Sequence, residues 1–103
     1  MMSKKVVWSP GARNDIKEIR DFYDKRNKSN VYSKKLLKTF KDAADYIEKF
    51  PNSSFKTDYE NVRGFVILDY IIFYEILELH ILILTVWDCR RNPEQLSNII
   101  TRR

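Results

Sequence analysis

Apolar residues recur at helical spacing through the first half of the chain, and beyond Pro51 they alternate. Ala12, Ile16, Ile19 and Tyr23 fall on one face of a helix whose other faces carry Arg13, Lys17, Arg20 and Asp21. Ser9 followed by Pro10 marks its start: a hydroxyl placed to cap the first free N–H groups, then a proline whose fixed φ suits the first helical position. "KKVVWS" before it reads as a short strand. The polar run "KRNKSN" breaks the pattern, and Ser29 or Asn30 can cap a second helix. Leu36, Phe40, Ala43, Ile47 and Phe50 form the inner stripe of that helix, and Lys34, Lys35, Lys38 and Lys41 its outer face. The two apolar stripes predict a helical hairpin with a shared seam.

After Pro51 the period falls to two. "FKTDY" reads as a weak edge strand, followed by strands over 62–68, 71–77 and 79–87 with short polar turns between them, an antiparallel meander. In the last strand both faces are apolar, with Leu79, Ile81 and Ile83 on one side and Leu82, Leu84 and Val86 on the other. Such a strand is covered on both sides. The helical hairpin covers one; a short final helix over 93–100, with Leu96, Ile99 and Ile100, or a partner covers the other. The fold class expected is α+β: an N-terminal strand, a two-helix hairpin packed on one face of an antiparallel sheet, and a short C-terminal helix. A chain of 103 residues makes this a single domain over 1–103.

Composition changes little in that picture. With 44% hydrophobic and 14% aromatic residues a core is available, and two glycines and three prolines fit regular elements with short connections. Cys89 is the sole cysteine, which excludes an internal disulfide and fits a cytoplasmic location. "MMSKKVVW" turns polar too soon for a signal peptide. The run from Tyr70 to Trp87 approaches the length of a membrane span. Glu75, Glu78 and His80 at its centre, together with its strand-forming residues, make it a hairpin instead.

Charge distribution is more informative. The net charge is +5. Residues 1–50 carry 13 Lys and Arg against 7 Asp and Glu, and residues 51–103 carry 6 against 7, so the basic surplus lies in the first half. A second small cluster comprises Arg90, Arg91, Arg102 and Arg103. A basic chain suits nucleic acid or an acidic protein as partner, and equally a solvated lysine face. In "TVWDCRRNPEQL", Asn92 and Pro93 cap and begin the last helix, with Gln95 as the return acceptor of a capping-box-like arrangement. Arg90 and Arg91 thus sit at a strand-to-helix corner beside a helix N-terminus, the outline of an anion site. The alternative is an Asp88–Arg ion pair that simply finishes the strand.

The exclusions are sharper. One histidine, His80, and one cysteine make no zinc site. No G-x-S-x-G accompanies His80, and Gly11 and Gly64 make no phosphate-cradling loop. No cofactor and no metal are expected. There remains a basic binding surface, or acid–base chemistry by Arg, Lys, Tyr and carboxylates.

Three segments, "VVWSPGARNDIKEIRDFY", "VRGFVILDYIIFYEI" and "ILILTVWDCRRNP", in this order and spacing resemble the RelE/ParE toxin family of type II toxin–antitoxin systems across nearly the whole chain. Ser9, Pro10 and Ala12 match the family's first helix start. Arg63, Tyr70 and Tyr74 match its arginine-bearing strand and the tyrosine-rich strand after it. Asp88, Arg90, Arg91 and Pro93 match its strand-end corner. The resemblance implies a growth-inhibiting toxin, a cognate antitoxin as partner, operator DNA contacted only through that antitoxin, and often a role in plasmid stabilisation.

RelE-like members cut messenger RNA in the ribosomal decoding site; ParE-like members inhibit DNA gyrase without cutting RNA. The ribonuclease branch usually carries a basic residue after the tyrosine of the third sheet strand, where this chain has Ile71. It also tends to place a histidine or tyrosine acid near the C-terminus, and no His, Tyr or Lys follows Arg91. Metal-independent RNA cleavage needs a base, an acid and cations for the phosphorane charge. Arg63, Arg90 and Arg91 can supply the cations, and Lys56, Glu60, Tyr70 or Tyr74 the proton transfer. The departures favour a ParE-like toxin that contacts its target through Arg63, Arg90 and Arg91, with Tyr74 a further candidate. A ribosome-dependent endoribonuclease is the alternative, and a non-toxic stability module the second. Trp87, Leu96 and Ile99 are the expected antitoxin contacts, because the doubly apolar last strand is poorly covered by one short helix.

Overall fold

A computed structural model describes residues 4–102; Met1, Met2, Ser3 and Arg103 lie outside the described residues. The order is β1 (Lys5–Trp8), α1 (Pro10–Asn27), α2 (Val31–Lys49), β2 (Phe55–Lys56), β3 (Val62–Ile67), β4 (Tyr70–Ile76), β5 (His80–Asp88) and α3 (Pro93–Thr101). The strands form one sheet in the order β1-β5-β4-β3-β2. The expected α+β architecture is present. The sheet is antiparallel except at one edge, where β1 runs parallel to β5, with Val6 opposite Ile81 and Trp8 opposite Ile83. The helical hairpin between β1 and β2 brings the chain back across the sheet.

Ser9 caps α1 as expected, its Oγ accepting from the Ala12 N–H at 3.0 Å. Lys28 ends α1 in the left-handed region. At the start of α2, Ser29 Oγ accepts from the Val31 N–H at 3.3 Å, and the Asn30 side chain makes no cap bond. The seam is formed by Ala12, Leu36, Phe40, Ala43, Ala44 and Ile47, with Ile16, Ile19 and Tyr23 packed against them. All of these lie over Tyr70, Ile72, Tyr74, Ile81, Ile83 and Val86 of the sheet. Phe50 departs from the expected stripe: it ends α2 at φ −132° and is 52% exposed. The proline that follows disfavours helical geometry in the residue before it, so the stripe stops at Ile47.

The opposite sheet face carries a second, smaller cluster: Val62, Phe73, Leu84, Trp87 and Ile100, with Leu96 and Ile99 of α3 packed against it. The last strand is therefore covered on both sides within the chain, as its pattern required. Two positions in it differ from simple alternation. Leu79 is 83% exposed in the turn before β5. Val86 joins Ile81 and Ile83 on the helix side, not Leu82 and Leu84. The cause is a β-bulge: Phe73 pairs with Thr85 but Tyr74 with Ile83, so Leu84 is an extra residue and the alternation beyond it shifts. The edge strand expected over "FKTDY" is reduced to Phe55 and Lys56, opposite Gly64 and Arg63. The Tyr70–Trp87 run is the β4–β5 hairpin, and among the described residues no helix is long and apolar enough to cross a membrane.

Candidate functional site

The arginine corner lies on one wall of a cleft between β5 and α1. The cleft has a volume of about 270 Å³. Asp15, Glu18, Ile19, Phe22 and Tyr23 line it from α1, Tyr70, Val86 and Asp88 from the sheet, and Arg90 and Arg91 from the corner. The α1 wall is a second stripe on that helix, at spacings of three and four beside the core stripe. Sequence reasoning passed over it, although Asp15, Glu18 and Phe22 already lie at that period.

At the corner, Arg90 donates from Nε to Asp88 Oδ1 at 2.9 Å and from Nη2 to Oδ2 at 2.8 Å, a two-pronged ion pair. The Arg90 backbone N–H also donates to Asp88 Oδ1 at 2.9 Å. The Asp88–Arg ion pair is thus present, and Arg90 lines the cleft beside it. Hydrogen bonding from Arg90 holds the Asp88 carboxyl below its ordinary range. The same pair, with Tyr23 beside it, makes Arg90 still more basic than usual. Arg91 turns the other way: its guanidinium lies 4.4 Å from the Trp87 ring centroid and Nη2 donates to Gln95 Oε1 at 3.2 Å. Gln95 thus meets Arg91, while Asn92 caps α3 through the Glu94 N–H at 3.0 Å. The thiol of the exposed Cys89 is pushed up by partial burial and by Asp88 and Asp69.

Deeper in the cleft, Tyr70 is buried against Phe40, the rings meeting edge to face at 5.2 Å. Burial and the neighbouring Tyr23 push its hydroxyl far above the ordinary tyrosine range. Asp15 Oδ2 accepts from Thr85 Oγ1 at 2.6 Å and from the Val86 N–H at 3.0 Å. Even so, its carboxyl is pushed up, because burial outweighs both bonds.

Arg63 and Tyr74 stand elsewhere. They face each other across β3 and β4, four residues along β4 from Tyr70, a rise of about 13 Å. The Tyr74 hydroxyl, fully buried, donates to the Pro51 carbonyl at 2.7 Å. Arg63 Nη1 donates to the carbonyls of Asn52 at 3.1 Å and Ser54 at 2.7 Å. Together they fasten the loop after α2 to the sheet. Arg63 also borders a separate polar cavity of about 370 Å³ with Lys56 and Glu60. The candidate set divides into two groups, Arg90 with Arg91 in one and Arg63, Lys56 and Glu60 in the other.

Trp87, Leu96 and Ile99 lie together beneath and within α3. Trp87 is 3% exposed, and Leu96 and Ile99 are half-buried. A third opening, an apolar groove of about 360 Å³, runs between the helices beside β1 over Trp8, Ile16, Leu37 and Phe40, with Arg13 and Lys41 on its flanks. Among the described residues no group of three His, Cys, Asp or Glu side chains is placed to hold a metal ion.

Residues 6–93 match the family described as the ParE toxin of the type II toxin–antitoxin system parDE. The chain belongs to the ParE toxin family. A solved structure of a chromosomal ParDE toxin–antitoxin system from P. aeruginosa has a similar fold, with a TM-score of 0.75 at 14% identity, over 84% of this chain and 96% of that one. A search of curated proteins gave no significant match. The family assignment makes this chain a toxin component of the type II kind and bears out the resemblance carried by the Ser9-Pro10 start, the Arg63 strand and the Arg90 corner.

Proposed function

We propose that the protein arrests bacterial growth by binding an essential target, DNA gyrase, through the arginine corner and the cleft beneath it, and that a cognate antitoxin neutralises it. One observation carries the choice of binding over catalysis: the carboxylates around Arg90 and Arg91 are already engaged. Asp88 is paired with Arg90, and Asp15 is tied to Thr85 and Val86. Glu18, at the cleft rim, accepts from Asn14 at 3.2 Å. What the corner does offer is two guanidiniums, each oriented by a neighbouring side chain. Arg90, 61% exposed beside Tyr23, can meet a carboxylate or phosphate, and Arg91 lies over the Trp87 indole.

The gathering of Lys56, Glu60 and Arg63 around one cavity favours the second reading, cleavage of ribosome-bound messenger RNA. Against it, Arg63 Nη1 is bound to two backbone carbonyls, which fixes this guanidinium to the loop after α2.

The antitoxin is the small protein expected beside this one in its operon, acting in the cytoplasm and carrying the pair to operator DNA. Leu96 and Ile99 of α3 are the accessible contacts on the back face, and Trp87 lies directly beneath them. Induction in bacteria tests the reading: arrest relieved by co-expression of the neighbouring small protein supports it. Undisturbed growth with antitoxin binding retained points to a non-toxic stability module.

A further inference from the structure

β1 stops opposite Ile83, yet β5 runs on to Asp88. The last ladder bond on that edge is from the Ser9 N–H to the Ile83 carbonyl, at 3.0 Å. Beyond it come the bulge at Leu84 and an edge that, among the described residues, has no neighbouring strand. Backbone groups left there need partners, since an unpaired buried N–H or C=O costs about as much as a lost hydrogen bond. Two side chains from the start of α1 supply them. Ser9 Oγ donates to the Leu84 carbonyl at 3.1 Å, and Asp15 Oδ2 accepts from the Val86 N–H at 3.0 Å and from Thr85 Oγ1 at 2.6 Å. The bulged residue and the two after it are thus bound from α1, by side chains 70 to 75 positions away in sequence.

The bulge decides where the corner points. Side chains alternate with period two, so a strand without the extra residue would exchange faces from Thr85 onward. Val86 would leave the helix core, Trp87 would leave α3, and Asp88 would turn from the cleft. Arg90 is oriented by Asp88 and Arg91 by Trp87, so both guanidiniums inherit their direction from the bulge.

We propose that Ser9 and Asp15 form a clamp that holds the β5 bulge and thereby aims Arg90 and Arg91, with Asp15 as its principal positioning residue. The functional consequence rests on the reading of the arginines as target contacts; the positioning itself does not. A carboxylate suits the task because one oxygen accepts two donors at once, a hydroxyl and an amide, whereas an apolar residue accepts neither.

The test is solution NMR of the purified chain with Asp15→Leu, alone and with Ser9→Ala. Two signals are followed: the Arg90 Nε–Hε resonance, set by its bond to Asp88, and the cross-strand contacts of Phe73 with Thr85 and of Tyr74 with Ile83. The clamp requires the folded variants to lose the Phe73–Thr85 pairing and to move the Arg90 signal to that of a free guanidinium. Growth-arrest potency per folded molecule should then fall at least tenfold. Asp15→Asn, which retains an acceptor for Val86, should restore most of both. A lower melting temperature with the Arg90 signal and pairing unchanged overturns the clamp, whatever the potency. A displaced corner with undiminished arrest upholds the clamp and overturns the arginines as target contacts. Should Asp15→Leu fail to fold, Asp15→Asn combined with Thr85→Val removes the hydroxyl bond alone. A partial shift of the Arg90 signal then supports the clamp, and no shift overturns it.

Discussion

Arg90 meets Asp88 with both edges of a fork, at 2.9 and 2.8 Å, only two residues along the chain. Such a pair is worth little as a surface ion pair, but it fixes the direction of a guanidinium that would otherwise sample many rotamers. Asp88→Ala should therefore cost only a small amount of stability at neutral pH while reducing toxicity far more, because Arg90 loses its orientation and keeps its charge. Melting curves beside induction assays check this; equal losses in both would mean that Asp88 is only structural.

Replacing Arg90 and Arg91 together by Ala should abolish growth arrest with antitoxin binding intact. The fold loses the Arg91–Trp87 contact, worth about 0.5–1 kcal/mol at an exposed site. Lysine at both positions keeps the charge but neither the fork nor the planar guanidinium over Trp87, so it should restore toxicity poorly. Full rescue by lysine would indicate a diffuse electrostatic role.

Asp15 and Asp88 give opposite pH signatures. The Asp15 carboxyl is raised by burial, with Thr85, Val86 and Arg91 opposing and Glu18 reinforcing the rise. A raised carboxyl contributes stability that is complete below its unfolded value of 3.8 and lost as pH climbs through the folded value. Asp88 is lowered, so its contribution is present above 3.8 and lost as pH falls through its folded value. Relative to wild type, Asp15→Asn should thus be favoured at neutral pH and lose that advantage on acidification. Asp88→Asn should lose ground at neutral pH and recover in acid. Urea unfolding across the acid range measures both differences.

In the helix seam, Phe40 and Ile47 are almost wholly buried against the sheet. Phe40→Ala should cost about 3–5 kcal/mol and Ile47→Ala about 2–5 kcal/mol, read from denaturant midpoints. Phe50→Ala, at the exposed end of the same helix, should cost far less.

The elements were legible because each carries its own local signal. Ser9-Pro10 and Asn92-Pro93 announce helix starts, and the change of period at Pro51 separates helices from strands. Phe50 was misassigned because the helical period continues by chance past the point where Pro51 ends the helix. The bulge at Leu84 was invisible, since an unbroken apolar run gives no sign of where an extra residue lies. Its consequences, Val86 turning inward and Asp15 reaching Thr85, depend on contacts 70 residues apart. The corner at Arg90 and Arg91 stood out from the abrupt change after Trp87. The α1 wall of its cleft did not, because Asp15, Glu18 and Phe22 read alone as an ordinary solvent face. Arg63 and Tyr74 were grouped with the corner by chemistry, and only the fold shows them fastening the loop after α2.

The central claim is inhibition by binding at the arginine corner. Its most direct measurement is supercoiling of relaxed plasmid by purified gyrase, titrated with this protein and with the Arg90→Ala, Arg91→Ala variant, beside a parallel incubation with translating ribosomes and messenger RNA. Supercoiling should be lost with the wild-type chain and kept with the variant, and the messenger RNA should stay intact. Cleavage of that RNA at codon edges, with gyrase unaffected, would contradict it.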